Sequence, residues 1–179
     1  AHGGTTTLID FAIQGFGEGL MPAFDGWMKR AEGKAVIDYA FHMIIADPTE
    51  ATLKTHIPKL VKEGHASIKV FMTYDLLNVG DEKLLDILLA ARQTKALVCV
   101  HAENHGMISW MGKRLLKHGH TAPKFHGISH PRLCEPEAFH RLIACAALVE
   151  AVGAEGRGTG RPRVAGRGDA VLDVHREQA

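Results

Sequence analysis

The chain has few cysteines and no way to pair them locally. Cys99, Cys134 and Cys145 are odd in number, widely spaced, and never form a Cys-x-x-Cys unit, which excludes a disulfide scaffold and a paired-thiolate zinc or redox motif. They are read as reduced, mostly buried thiols. A dominant sign of charge is also missing. Twenty-one basic residues oppose twenty acidic ones, so bulk electrostatics point to neither a nucleic-acid partner nor an anionic membrane surface. No apolar run approaches the roughly 18 residues of a spanning helix, and no basic-then-apolar leader opens the chain. A cytoplasmic setting with a small neutral partner is the expectation. The first residue is alanine rather than methionine, from which a removed start of a longer parent is expected. What is present is a 46% hydrophobic, 23% charged composition, enough apolar side chain to bury a core.

Short β-rich runs alternate with longer helical patterns, the signature of βα units around a parallel sheet. Thr5 to Phe11 follows a Gly-Gly turn and precedes a helix from about Gly19 to Ala31, closed by Gly33. A second strand is predicted over Ala35 to His42. Asp47-Pro48-Thr49-Glu50 then offers an N-cap and first-turn proline for a helix whose Leu53, Ile57, Leu60 and Val61 share a face. Ser67 to Met72 is a third strand, followed from Asp81 by a helix with Leu84, Leu85, Leu88 and Leu89 as its core stripe. Ala96 to His101 is a fourth, with helices from about Asn104 to Lys117 and Glu135 to Val149. Four such units in about 150 residues predict a partial (β/α)₈ (TIM) barrel, since a whole one takes ~250 residues. Residues 1–150 are read as that unit. Residues 151–179 turn Gly- and Arg-rich without periodicity; a flexible tail and a stretch translated in the wrong frame are both open, and no regular strand completing the barrel is expected there.

In parallel barrels, reacting groups sit at the C-terminal ends of strands, which singles out Lys69 and His101. Lys69 stands between Ile68 and Val70, where an uncompensated ammonium costs on the order of several kcal/mol. Burial of a lysine favours its neutral, nucleophilic amine, so one reading is carbamylation by carbon dioxide to a carboxylate that bridges two metal ions. The other is a lysine that snorkels to solvent. His101, ending its strand, is either a nitrogen donor to zinc or a helix-capping histidine. Tyr74, five residues past Lys69, could donate to a developing oxyanion or simply pack with its hydroxyl wet. His42 is either a support for metal ligands or a structural, hydrogen-bonded histidine. The histidines from His105 to His140 are read as solvated, with no second metal motif.

Together, Gly3-Gly4-Thr5-Thr6-Thr7-Leu8-Ile9-Asp10-Phe11, Asp38-Tyr39-Ala40-Phe41-His42-Met43, Ser67-Ile68-Lys69-Val70-Phe71-Met72-Thr73-Tyr74, His101-Ala102-Glu103-Asn104 and the run Ala122 to Arg132 resemble the dihydropyrimidinase/hydantoinase family of cyclic amidohydrolases, over about residues 1 to 150. The resemblance implies that Lys69 is the carbamylated lysine bridging two zinc ions, His101 a ligand of one, and Tyr74 the helper of the tetrahedral intermediate. It implies hydrolysis of 5,6-dihydrouracil, dihydrothymine or hydantoins to N-carbamoyl amino acids, a role in pyrimidine catabolism, and a homotetrameric parent. It also implies missing pieces. The family's H-x-H pair lies before residue 1, its remaining ligands come from later strands, and a further histidine-ended strand is replaced by Ala151 to Arg157. An inactive fragment is therefore the expectation. A sister allantoinase or dihydroorotase is less consistent with the Lys69 to Tyr74 run, and a non-catalytic relative of the collapsin-response mediator type with keeping both Lys69 and His101.

Overall fold

The computed structural model describes residues 1–153, 163–165 and 169–173. Four strands, β1 (Thr7–Ile13), β2 (Asp38–Ile44), β3 (Ser67–Phe71) and β4 (Leu97–His101), lie side by side in sequence order. All three of their pairings are parallel. Parallel neighbours need a crossover, and the helices supply it. α1 (Leu20–Ala31) links β1 to β2. α2, a wide π-turn over Thr52–His56 that tightens into an α-helix over Ile57–Lys62, links β2 to β3. α3 (Gly80–Thr94) links β3 to β4. α4 (His105–Lys117), the short α5 (His126–Ser129) and the long α6 (Cys134–Gly153) follow.

The strand period of two splits the sheet into unlike faces. Ala12, Met43, Ile68, Val70, Val98 and Val100 are buried on one face with Leu20 and Phe24 of α1, Ile57 and Leu60 of α2, and Leu84, Ile87 and Leu88 of α3. α6 joins this layer through Ala138, Leu142, Ala146 and Val149, one stripe at helical spacing. The α3 stripe thus runs through Leu84, Ile87, Leu88 and Ala91, with Leu85 and Leu89 only partly buried. α4 buries no residue at all. Among the described residues, the opposite sheet face carries no helix. At its β1 margin Ile9, Phe11 and Ile13 stand 39–50% exposed.

Local chemistry moves several boundaries. β1 and β2 begin later than predicted and run on to Ile13 and Ile44. Thr49, not Asp47, caps α2, its Oγ1 accepting from the Thr52 N–H at 3.2 Å. Asp47 instead reaches across to the Gly17 N–H. Asn104 caps α4, accepting from the Met107 N–H at 2.9 Å. Arg92 of α3 donates to the carbonyls of Val149 and Glu150 at 2.8 and 3.1 Å, which fastens the last turns of α6. Beyond Ala151, β5 (Arg163–Ala165) and β6 (Asp169–Asp173) pair antiparallel, and β6 pairs antiparallel with β4, not in the parallel sense a further barrel strand would take. A strand edge offers a row of free N–H and C=O groups to any nearby extended segment, and Val164, Val171 and Leu172 favour that conformation. The composition-based readings of the remaining tail fall outside the described residues. No helix among the described residues is long and apolar enough to cross a membrane.

Candidate active site at the ends of β3 and β4

Strand register places the chemistry on the helix-free face. Leu97 pairs with Ser67, Cys99 with Lys69 and His101 with Phe71, while Ile44 pairs with Lys69 on the other side. Side chains two apart share a face, so Lys69 and His101 project to the same side from adjacent strands. They are offset by two residues, about 6.6 Å along the strand. His101 forms the end row and Lys69 the row beneath it.

Lys69 is 2% exposed. Its Nζ lies over the rings of Phe71 and Phe11, 5.0 and 5.6 Å from their centroids, so the apolar strand does not let it snorkel to water. Below it, His42 Nδ1 and Ser67 Oγ lie 2.6 Å apart, and Phe11 packs on the His42 ring. Burial, and secondarily the charge of Lys69, hold His42 below the ordinary histidine range. His42 is therefore a hydrogen-bonded imidazole kept neutral beneath the lysine.

At the end row, Tyr74 arches back over His101. The backbone turns there through φ 70°, a left-handed conformation that costs a non-glycine residue about 1 kcal/mol. The turn brings the Tyr74 ring against the His101 ring with centroids 5.2 Å apart, and puts its hydroxyl 3.4 Å from His101 Nε2. Phe71 touches both rings. Glu103 Oε2 lies 2.8 Å from the same Nε2, with both side chains largely shielded from solvent. The two loops are tied a second time by His105 Nε2, 3.4 Å from Asp75 Oδ1.

Lys69, His101 and Tyr74 are thus brought together, as their spacing predicts, while His42 sits lower on the same face. Glu103 was not singled out from the sequence, although its place two residues after a strand-ending histidine is the signal that could have found it. The reading that the histidines from His105 to His140 hold no metal-motif spacing also needs correcting: His118-Gly119-His120 has H-x-H spacing. It is exposed, just past the end of α4. Among the described residues no group of three or more histidine, cysteine, aspartate or glutamate side chains converges. At the strand ends the His101 imidazole could donate a nitrogen to a metal, and Lys69 could donate oxygen only if its amine gained a carboxylate. A nitrogen-and-oxygen set of this kind suits zinc. Of the cysteines, Cys134 is buried and Cys99 and Cys145 are partly so.

No protein-family model matches the chain. Among curated proteins it is 41% identical to a D-hydantoinase of Geobacillus stearothermophilus over 177 residues, covering 89% of this chain and 37% of that protein. It is 41% identical to a D-hydantoinase of Streptomyces coelicolor over 152 residues, covering 84% and 32%. Among solved structures, a D-hydantoinase superposes with a TM-score of 0.80 at 39% identity, covering 83% of this chain and 32% of that one. The dihydropyrimidinase of Brevibacillus agri gives 0.79 at 40%, with the same coverage. The chain spans about a third of the length of these relatives.

Proposed function

We propose, on the premise that this chain is a relative of the D-hydantoinases and dihydropyrimidinases over the third of their length it spans, that it is part of a (β/α)₈ barrel whose whole opens cyclic amides. The substrates would be hydantoins or 5,6-dihydropyrimidines, and the products N-carbamoyl amino acids. The observation that carries this reading is the end-row arrangement: a buried lysine one row beneath a strand-ending histidine, on one open face, with a tyrosine hydroxyl folded over the histidine.

In that reading the Lys69 amine attacks carbon dioxide, loses a proton and becomes a carbamate, whose two oxygens replace a costly buried ammonium with a pair of metal donors. Lys69 and His101 would then hold part of a zinc pair. Zinc there supplies a hydroxide at neutral pH and polarises the ring carbonyl. The protein's own groups do the rest. Tyr74 donates its hydroxyl proton in a hydrogen bond to the carbonyl oxygen as negative charge develops on it, a contribution of about 3 kcal/mol for a well-placed donor. Glu103 fixes the orientation of the His101 ring, and Phe71 and Phe11 keep water from the lysine. The described residues supply two donors, so the isolated chain is proposed to be inactive, with turnover belonging to a longer protein.

The test is a chimera in which residues 1–150 replace the matching segment of the G. stearothermophilus D-hydantoinase. Zinc-dependent ring opening is expected, abolished by Lys69→Ala and lowered about 10²- to 10³-fold by Tyr74→Phe. A soluble, folded chimera whose activity ignores Lys69→Ala would refute the assignment. The isolated chain, given zinc and bicarbonate, is expected to release no product above its own Lys69→Ala variant.

A further inference from the structure

A second constellation lies away from the strand ends, in the segment that leads from α4 to α6. His126 opens the single turn of α5, and His130, four residues on, is the residue that caps its C-terminal end, its N–H bonding to the His126 carbonyl at 3.2 Å. That spacing stacks side chains on one face of a helical turn, and the two imidazole centroids lie 4.3 Å apart. The i,i+4 histidine pair is the arrangement that helical zinc motifs use to chelate.

Hydrogen bonding then settles which nitrogen of His130 is available. The Ser129 hydroxyl donates to the His126 carbonyl oxygen at 2.6 Å, so the lone pairs on its oxygen are what face His130 Nδ1, 2.8 Å away. The second neighbour of Nδ1 is the same carbonyl oxygen, at 3.1 Å. Both neighbours are acceptors, so Nδ1 carries the proton and Nε2 carries the lone pair. A ligating histidine that gives its other N–H to a backbone carbonyl is the usual way a protein sets the tautomer for metal. His126 is exposed and His130 partly so, which leaves the pair open to ions.

We propose that His126 and His130 form a two-histidine site for a divalent transition ion of borderline softness, of the zinc or nickel class. Both imidazoles bind as neutral nitrogen donors. No third histidine, cysteine, aspartate or glutamate among the described residues joins them, so water completes the coordination and the ion exchanges readily. A bound ion clips the α5 turn, and with it the stretch that returns to Cys134, whose carbonyl accepts from the Asn104 N–H at 3.0 Å. The site is independent of the role proposed for Lys69 and His101.

The experiment is a zinc titration of the full 179-residue chain, read by histidine side-chain nitrogen and proton NMR, on the Lys69→Ala background so that the strand-end site does not contribute. Before zinc, His130 is expected as the Nδ1–H tautomer. On titration the His126 and His130 ring signals shift together, and His126→Gln or His130→Gln weakens binding by about tenfold or more. A His118→Gln/His120→Gln double variant, which removes the exposed H-x-H pair, is expected to leave that affinity unchanged. An Nε2–H tautomer at His130, or His126 and His130 signals that stay still while zinc binds elsewhere, overturns the proposal. These signals are read in a chain that keeps both histidines, so the result stands even if a glutamine variant fails to fold.

Discussion

Replacing Val98 by alanine should cost the chain more stability than replacing its larger neighbour Leu97. The two are adjacent on β4 and point to opposite faces. Val98 is wholly buried under the helices, whereas Leu97 is only partly buried on the helix-free side with Cys99 and His101. Removing two methyl groups from Val98 forfeits about 1.6 kcal/mol of transfer free energy. The packed layer around it relaxes only partly, and a void of roughly 40 Å³ adds about 1 kcal/mol. Leu97 loses three carbons, no more than about a third of whose surface meets solvent, but no closed void forms, so about 1.6 to 2 kcal/mol is expected. The difference of roughly 0.5 to 1 kcal/mol should separate the two midpoints in urea melts followed by circular dichroism, with a common slope. In a chain of this size it corresponds to roughly 1 to 4 °C in Tm. An equal or reversed order would mean that the helix layer covers the other face of β4. Lys69 and His101 would then not share an open face, and the site reading would fall with it.

Glu103→Gln should lower zinc affinity of the chimera by about 10- to 100-fold, because the carboxylate at 2.8 Å orients the His101 ring; unchanged zinc uptake on dialysis against a chelator would remove Glu103 from the site. His42 is held below the ordinary value of 6.5 by burial and then by Lys69. The unfolded chain therefore binds more protons as pH falls through about 6.5, and stability, fully present above that value, should decline toward the lower folded value. A urea-midpoint series against pH should show this slope, flattened by His42→Gln. Burial first, and then the charges of Glu103, Glu137 and Glu135, push the Cys134 thiol up, so iodoacetamide should label Cys134 far more slowly than an unfolded control, as mass spectrometry would show.

The four parallel strands and their crossover helices were legible because each carries its own period: alternation or unbroken apolar runs in the strands, i to i+4 stripes in α2, α3 and α6. Lys69 stood out because one charge interrupts Ile68-Lys69-Val70, and His101 because it ends a strand. Less visible was anything that depends on partners distant in sequence. The Thr49 cap displaced Asp47 because Asp47 is drawn to Gly17, thirty residues away. The α3 stripe turned toward Ile87 and Ala91 because α6 packs beside it, and no local period reveals that. Glu103 escaped notice for a similar reason, since an acidic residue after a strand reads as solvated until the imidazole beside it is placed.

The antiparallel β6 gives the two margins of the sheet opposite fates. At β1 the outer row of backbone donors and acceptors has no strand beside it among the described residues, so another parallel strand could dock there without displacing anything. At β4 the chain's own hairpin already fills that row, running the wrong way for a barrel. Any strand arriving there must first unzip the pairing from His101–Asp169 to Val98–Leu172. Assembly into a closed ring would therefore be directional, free to start at one margin and kinetically gated at the other. The rate at which a complementing segment docks would report on the release of β6 and not on diffusion.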